Sequence, residues 1–347
     1  MIKFLYISTT GRLERPYLDP SVRYRCYNPA EDLETLGHLA DVVSFHDFQI
    51  AMIKNYDVFI FHRPPYDEKL EIALAVMDRY KKQYYADYDD LIFAPEYALQ
   101  SSLYKTGRAD KKKTLKIFKN NFKAMKLFKN FTVSTTPLKD VILHLNRKAN
   151  VKVIHNGLSQ SWLNRANLNF VPNTSSFKTM SYLSGTKSHD HDFEIVENIM
   201  AKQLASKKDL HLMLVGPLEF NKDLLNDKVR HLRYVEYQNL PQLITKSWLN
   251  IAPLEDNIFN KCKSGLKFFE SAILGIPSIV SSLPDFERFD DAVFIAKDEE
   301  KWNYYIDKLY NDEEFYKKKS LEVKQYAQEK CMSLHQTNKF INIVEEI

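Results

Sequence analysis

Three carboxylates crowd one short stretch of this 347-residue chain: Asp87, Asp89 and Asp90 in ADYDD, directly after an aromatic run. Two aspartates flanking a single residue can chelate a divalent cation. A carboxylate beside a substrate hydroxyl can serve as general base. A third reading is a polar strand end, with Asp90 capping the next turn of chain. His62 closes the apolar run YDVFIF and is a second candidate base. The choice between these chemistries rests on the elements that hold the residues.

Short β-type runs alternate with helical stretches along the whole chain. Strands are expected at Ile2–Ser8, Ala40–Phe45, Asp57–His62, Gln83–Tyr88, Phe131–Ser134 and Val151–His155. A second series is expected at Thr179–Ser184, Leu210–Val215, Leu232–Tyr237, Leu249–Pro253, Pro277–Ser281 and Ala292–Ile295. Many of these runs are continuously apolar, as in parallel strands covered on both faces. Asn28 reads as a helix cap, with Pro29 at the first position and Gly37 past the end. Thr136-Pro137 opens a helix through Leu145, and Ser264 and Gly275 bracket another. Alternation predicts an α/β chain with doubly wound parallel sheets, and two series predict two Rossmann-like domains. Residues Ser159–Ser176, rich in Asn and Ser, read as the linker, and a charged helical segment begins near Glu313.

Composition excludes several classes. The 44% hydrophobic content supports full cores. No apolar run reaches the roughly 20 residues that span a bilayer. The start, MIKFLYISTTGR, reads as a first strand rather than a secretory leader. Cys26, Cys262 and Cys331 lack paired spacing, which weighs against zinc or disulfides and fits a reducing cytoplasm. The net charge of +4 comes with no nucleic-acid motif, so no nucleic-acid partner is expected. Eight glycines and no G-x-G-x-x-G weigh against a dinucleotide cofactor. Gly11, Gly185 and Gly216 nevertheless fall at strand ends, where open α/β sheets bind ligands.

The segment 250–282 carries further chemistry. Lys263 and Lys267 flank an expected helix opening at Ser264. Cations there oppose the macrodipole at about 0.3–1 kcal/mol each unless an anion compensates. With the Ser264 hydroxyl and helix N–H groups they describe a pyrophosphate cradle. Glu270, near Lys267 on the same face, can accept ribose hydroxyls or simply pair with a lysine. In the stretch 110–130, Leu115, Phe118, Phe122 and Met125 share one helical face and eight lysines crowd the rest. That pattern fits a core-facing stripe with a solvated lysine face, or a helix lying on an anionic membrane.

The run FFESAILGIPSIVSS resembles the donor-binding region of GT-B glycosyltransferases, especially the retaining family usually called GT4. Glu270 matches the second glutamate of that family's E-x7-E, and Cys262 stands where the first would be. YLSGTKSHDHDFEIV is similar to a Y-F-S-G-x-x-x-H-x-x-D-F pattern of a bacterial polysaccharide branch. The resemblance implies that Gly185 admits a phosphate and that Lys187 and His189 contact it. VKVIHNGLS is similar to the element that ends the family's first domain, implying Asn156 and Gly157 at the hinge. SVRYRCYNPAEDL resembles the branch's R-Y-R, implying that Arg23 and Arg25 face the cleft and bind an anionic acceptor or donor phosphates.

Taken together, the resemblance implies a GT-B fold, with two Rossmann-like domains facing a cleft. Residues 1–160 would form the acceptor domain and 175–325 the nucleotide-sugar donor domain. A C-terminal helix, 326–347, would cross back to the first domain. The implied activity is sugar transfer to a saccharide or lipid-linked acceptor in bacterial capsule, O-antigen or related polysaccharide synthesis. No cofactor or metal is expected, because lysines and helix N–H groups can stabilise the leaving diphosphate. D-x-D holds metal in the other architecture, GT-A, so Asp87, Asp89 and Asp90 are expected on the acceptor side. The implied location is the cytoplasm, with membrane-surface contact through 110–130 as an option. Competing readings are a sugar-nucleotide epimerase, a polyol-phosphate transferase, or a non-catalytic GT-B-like subunit.

Overall fold

The computed structural model describes residues 1–167, 177–185, 190–222, 227–233 and 235–346. The chain divides into two compact units. The first comprises Met1–Ser159, Cys262–Ser264 and Met332–Ile347; the second comprises Gln160–Lys261 and Gly265–Cys331.

The first unit is built on β1 (Lys3–Ser8), β2 (Leu39–Ser44), β3 (Val58–His62), β4 (Gln83–Tyr88), β5 (Asn130–Val133) and β6 (Asn150–Val153). All pairs are parallel, in the order β2-β1-β3-β4-β5-β6. Every residue of β3 is buried, because helices cover both faces of a parallel sheet. The register matters for function. Ser44 lies opposite Ser8, Ser8 opposite His62, His62 opposite Asp87, and Asp87 opposite Thr132. Register partners share a face, so a row of five polar residues crosses the carboxyl ends of five strands. All five are buried.

The second unit repeats the plan with β7 (Lys178–Leu183), β8 (Leu210–Val215), β9 (Val229–Leu232), β10 (Leu249–Ala252), β11 (Ser278–Ser281) and β12 (Phe294–Ala296). Its order is β12-β11-β10-β7-β8-β9, again all parallel. The expected α/β architecture of two Rossmann-like units is therefore present. The switch points, where successive strands depart to opposite sides, lie between β1 and β3 and between β7 and β10.

Several local expectations need correction. Asn28 is not a cap. Helical backbone already starts at Pro20, where the Asp19 side chain accepts from Ser21 N at 3.1 Å, and continues to Thr35. Its middle, Arg23–Tyr27, is a π-helical turn. Pro29 lacks the N–H that an α turn would aim at Arg25 O, and its ring would crowd that carbonyl; a wider turn just before it relieves both. The edge strand of the second sheet is Val229–Leu232 rather than Leu232–Tyr237. Part of the expected linker is helical, Gln160–Asn167, with Trp162 buried against Tyr237 at 5.1 Å between rings. The rest, 168–176, lies outside the described residues. The helix expected to open at Ser264 runs Leu266–Ala272, with Gly265 before it.

Within the lysine-rich stretch the helix is Lys111–Met125, capped by Asp110 on Lys113 N at 2.7 Å. Phe118 and Met125 are buried while Leu115 and Phe122 are half-buried, so the apolar stripe faces the unit's interior. The lysines are exposed. Among the described residues no helix is long and apolar enough to cross a membrane.

The last helix, Ser333–Glu345, belongs to the first unit and places Phe340 against Phe4 and Tyr85. The chain passes Gly157 on the way. A Cβ there would lie 2.6 Å from Ser333 N, so only glycine admits this approach.

Candidate active site

The polar row of the first sheet is completed by charge from the π-helical turn. Arg25 is buried and its guanidinium is fully engaged. Nε donates to Asp87 Oδ2 at 2.9 Å and one Nη donates to Asp87 Oδ1. The other Nη donates to Ile154 O at 2.6 Å and Asn156 Oδ1 at 3.0 Å. Thr132 Oγ1 donates to Asp87 Oδ1 at 2.6 Å. Burial would raise the Asp87 carboxyl, yet the Arg25 charge and its forked hydrogen bonds prevail and hold it at about 2. A carboxylate that reluctant to bind a proton is a weak base at neutral pH.

A second pair sits beside it. Arg63 Nε donates to Asp89 Oδ1 at 2.7 Å, and Ser21 Oγ donates to Asp89 Oδ2 at 2.6 Å. Burial opposes ionisation of Asp89 too, but the Arg63 charge holds its carboxyl far below the usual range. Arg63 adopts φ +52°, a conformation costing on the order of 1–3 kcal/mol in a side-chain-bearing residue. That turn brings its guanidinium onto the aspartates.

His62 lies between the pairs, with no exposed surface. Its Nδ1 is 3.1 Å from Asp87 Oδ2 and its Nε2 is 2.8 Å from Ser21 Oγ. Both ring nitrogens are therefore occupied inside the network, whichever tautomer the ring adopts. With no exposed surface, neither nitrogen is presented to a substrate. The expectation of His62 or Asp87 as general base meets this obstacle: both are buried and internally saturated. The chelating reading of Asp87 and Asp89 meets the same one, since two guanidinium groups and the Ser21 hydroxyl occupy their oxygens. Asp90 differs. Its side chain is 37% exposed, accepts from Leu91 N at 2.9 Å and lies 3.9 Å from Arg63 Nη. Among the described residues no group of three or more His, Cys, Asp or Glu is gathered to hold a metal.

The other expected residues of the first unit scatter. Arg23 pairs with Glu31 at 2.6 Å on its own helical face. Asn156 bridges Arg25 and Ser264, donating to Ser264 Oγ at 2.9 Å. Gly157 serves the backbone approach of Ser333. Lys263 and Ser264 group with the first unit, as does Cys262, whose carbonyl accepts from Thr135 Oγ1 at 2.9 Å. Burial pushes the Cys262 thiol up to about 12, leaving it unreactive.

In the second unit the strand ends are shaped by backbone. Gly185 follows β7 and is exposed. Gly216 follows β8 at φ +109°, and a Cβ there would lie 1.9 Å from Ser184 O. The loop after β10 is pinned by buried Asp192, which accepts from Glu255 N and Asn260 Nδ2, each at 2.8 Å. Asp192 is therefore a loop anchor. Lys267 Nζ stands 5.3 Å from the Tyr182 ring centroid, and Tyr182 stacks on Phe193. Glu270 is buried one turn further along the same helix. Lys187 and His189 lie outside the described residues.

Sequence reasoning missed Ser21 and Arg63. Arg63 directly follows a strand-ending histidine, a signal that was available; Ser21 carried none, because its partners are 41 and 68 positions away.

No family model matches the chain, and no curated protein matches its sequence. Solved structures do match its fold. A glycosyltransferase from Rickettsia africae aligns at TM-score 0.66 and 14% identity, over 99% of this chain and 98% of that one. Anabaena HepE, crystallised with UDP and glucose, aligns at TM-score 0.62 and 14% identity over 100% of both chains. Sucrose-phosphate synthase from Thermosynechococcus elongatus aligns at TM-score 0.61 and 10% identity, over 99% of this chain and 98% of that one. With two parallel six-stranded sheets matched from end to end, the chain has the GT-B type of α/β fold.

Proposed function

We propose that this chain is a glycosyltransferase, moving a sugar from a nucleotide-sugar donor to a saccharide or lipid-linked acceptor of a bacterial surface polysaccharide. The observation that carries the reading is the end-to-end likeness to a chain solved with UDP and with UDP-glucose. The second unit takes the donor at the carboxyl ends of β7 and β10, where its strand order switches. The open backbone at Gly185, where a Cβ would meet nothing within 4 Å, supports a close phosphate approach. Lys267 stabilises the departing diphosphate and Glu270 accepts from the ribose, with retention of configuration and without a metal. Lys187 and His189 complete the donor contacts.

The first unit takes the acceptor. With Asp87, Asp89 and His62 internally saturated, Asp90 is the carboxylate that meets the acceptor hydroxyl. The exposed lysines of Lys111–Met125 suit an anionic membrane surface at which lipid-linked acceptors reside.

The test is donor turnover against a panel of UDP-, GDP-, CMP- and dTDP-sugars. Hydrolysis or transfer of one sugar nucleotide, unaffected by EDTA, is expected. Reversible isomerisation would identify an epimerase on the same fold, and failure to bind any of them would overturn the enzyme reading. Loss of activity with EDTA would overturn the metal-free mechanism.

A further inference from the structure

A pocket of about 370 Å³ opens at the carboxyl ends of β1 and β2, inside the first unit. That is within the usual range of small-ligand sites, about 300–1,000 Å³. Its walls include Ser8, Thr9, Thr10, Ser44, Phe45 and His46. Ser8 and Ser44 are the near end of the polar row that continues through His62 to Asp87. Thr9 ties the pocket to that cluster directly, donating to His62 O at 3.0 Å and Arg63 O at 2.8 Å.

The hydroxyl protons are all committed to protein acceptors. Ser8 Oγ donates to Val43 O at 3.3 Å, Thr10 Oγ1 to Asp19 Oδ2 at 2.8 Å, and Ser44 Oγ to Asp47 Oδ2 at 2.6 Å. With their protons committed, these oxygens offer a ligand only lone pairs, of which Thr10 Oγ1 already spends one on Arg12 N at 3.1 Å and Ser44 Oγ one on Asp47 N at 3.0 Å. The walls contain no lysine or arginine; beside them, Lys69 Nζ is engaged by Phe45 O at 2.8 Å and His46 O at 3.2 Å, and an Arg12 Nη by Leu18 O at 2.7 Å. The nearby guanidinium groups of Arg25 and Arg63 are spent on Asp87 and Asp89. A bound anion would have to turn the hydroxyls round and strip Asp19 and Asp47 of their partners. A donor-rich neutral ligand meets no such obstacle. The Phe45 ring, with Lys69 Nζ 5.1 Å from its centroid, supplies an apolar wall. The exposed His46 imidazole, which makes no hydrogen bond among the described residues, can both donate and accept at the mouth.

We infer that this pocket is a subsite for a neutral, hydroxyl-rich ring, and that the acceptor sugar seated there carries no carboxylate or phosphate. The inference rests on the reading of the first unit as the acceptor side. It also replaces the sequence expectation of an anionic acceptor held by Arg23 and Arg25, since both arginines are paired internally.

The experiment is saturation-transfer NMR on the full chain at millimolar sugar. The neutral probes are methyl β-glucopyranoside, methyl β-galactopyranoside and N-acetylglucosamine; the anionic probes are glucuronic acid and glucose 6-phosphate. At least one neutral probe is expected to bind about tenfold better than either anion, about 1.4 kcal/mol. His46→Ala is expected to weaken neutral binding severalfold, and His46→Arg to raise binding of the anions. His46 is exposed, so neither change threatens folding. Anionic probes binding as well as neutral ones, neutral binding untouched by His46→Ala, or no contact at all would overturn the inference. No sugar nucleotide enters this assay, so its failure leaves the donor reading standing, and failure of the sugar-nucleotide panel leaves its result readable.

Discussion

The two sheets end differently. At the carboxyl ends of β3 and β4 the first unit packs two guanidinium groups, two carboxylates and a histidine into a buried, mutually satisfied network. At the ends of β7 and β8 the second unit presents glycine backbone, and buried Asp192 anchors a loop rather than a cation. One topology thus supports two uses of polarity. In the first unit charge is consumed in fixing the strand ends, and under the proposed function recognition would pass to hydroxyls and the partly exposed Asp90. In the second, space is left for a ligand to bring its own charge.

The largest effect that would break this contrast is at Arg25. Arg25→Met leaves Asp87 buried and unpaired, and should cost about 3–5 kcal/mol in urea unfolding of the first unit. Adding Asp87→Leu should recover part of the loss. A cost of the single change below about 1 kcal/mol would show that the network does not fix the strand ends.

Gly216→Ala probes the other side. Its φ and the contact with Ser184 O forbid a side chain without movement, so a loss of about 3 kcal/mol is expected, with weakened UDP binding. Normal stability and affinity would show that the close backbone approach is dispensable.

Within the first unit, Asp32 sharpens the comparison. It is as buried as Arg25 but has hydroxyl partners, with Thr337 Oγ1 donating at 2.9 Å, and no guanidinium. Burial therefore wins over the Ser333 and Thr337 hydrogen bonds and raises its carboxyl to about 6. The folded protein holds this proton more tightly than the unfolded chain. Its stability contribution is full below about pH 4 and is lost as pH climbs through 6, on the order of 2 kcal/mol. Asp32→Asn should flatten that slope in thermal unfolding between pH 4 and 7; an unchanged slope would place the titration elsewhere.

The smallest expected effects are at the donor side. Lys267→Ala and Glu270→Ala should each weaken UDP-sugar binding about tenfold by calorimetry, about 1.4 kcal/mol. Unchanged affinity in both would move the donor site away from this helix.

Much of this architecture was legible in the sequence, because strands buried on both faces announce themselves as apolar runs. β4 and β8 coincide with their expected limits, and most others fall within about two residues. The exception, β9, is an edge strand of partly exposed residues, so hydrophobicity could not place its ends. Residue types at the site were legible too: Arg25, His62, Asp87 and Asp89 do converge. Their relationships were not. A pair separated by 62 positions leaves no trace in local spacing, so a carboxylate spent on a buried arginine reads the same as one awaiting a substrate.

The close passage at Gly157 has a consequence for how the chain is made. Phe340, Ile341, Ile343 and Val344 belong to the same core as Phe4, Tyr6 and Val58. A ribosome delivers both segments of the second unit, Gln160–Lys261 and Gly265–Cys331, before Met332 is added, so that unit can finish folding first. The first unit must wait, its sheet exposed where the last helix belongs, until residues more than 300 positions from its first strand arrive. Of the two units, the one whose strands are made earlier is the one completed later, and it is the one that needs protection from aggregation in the interval.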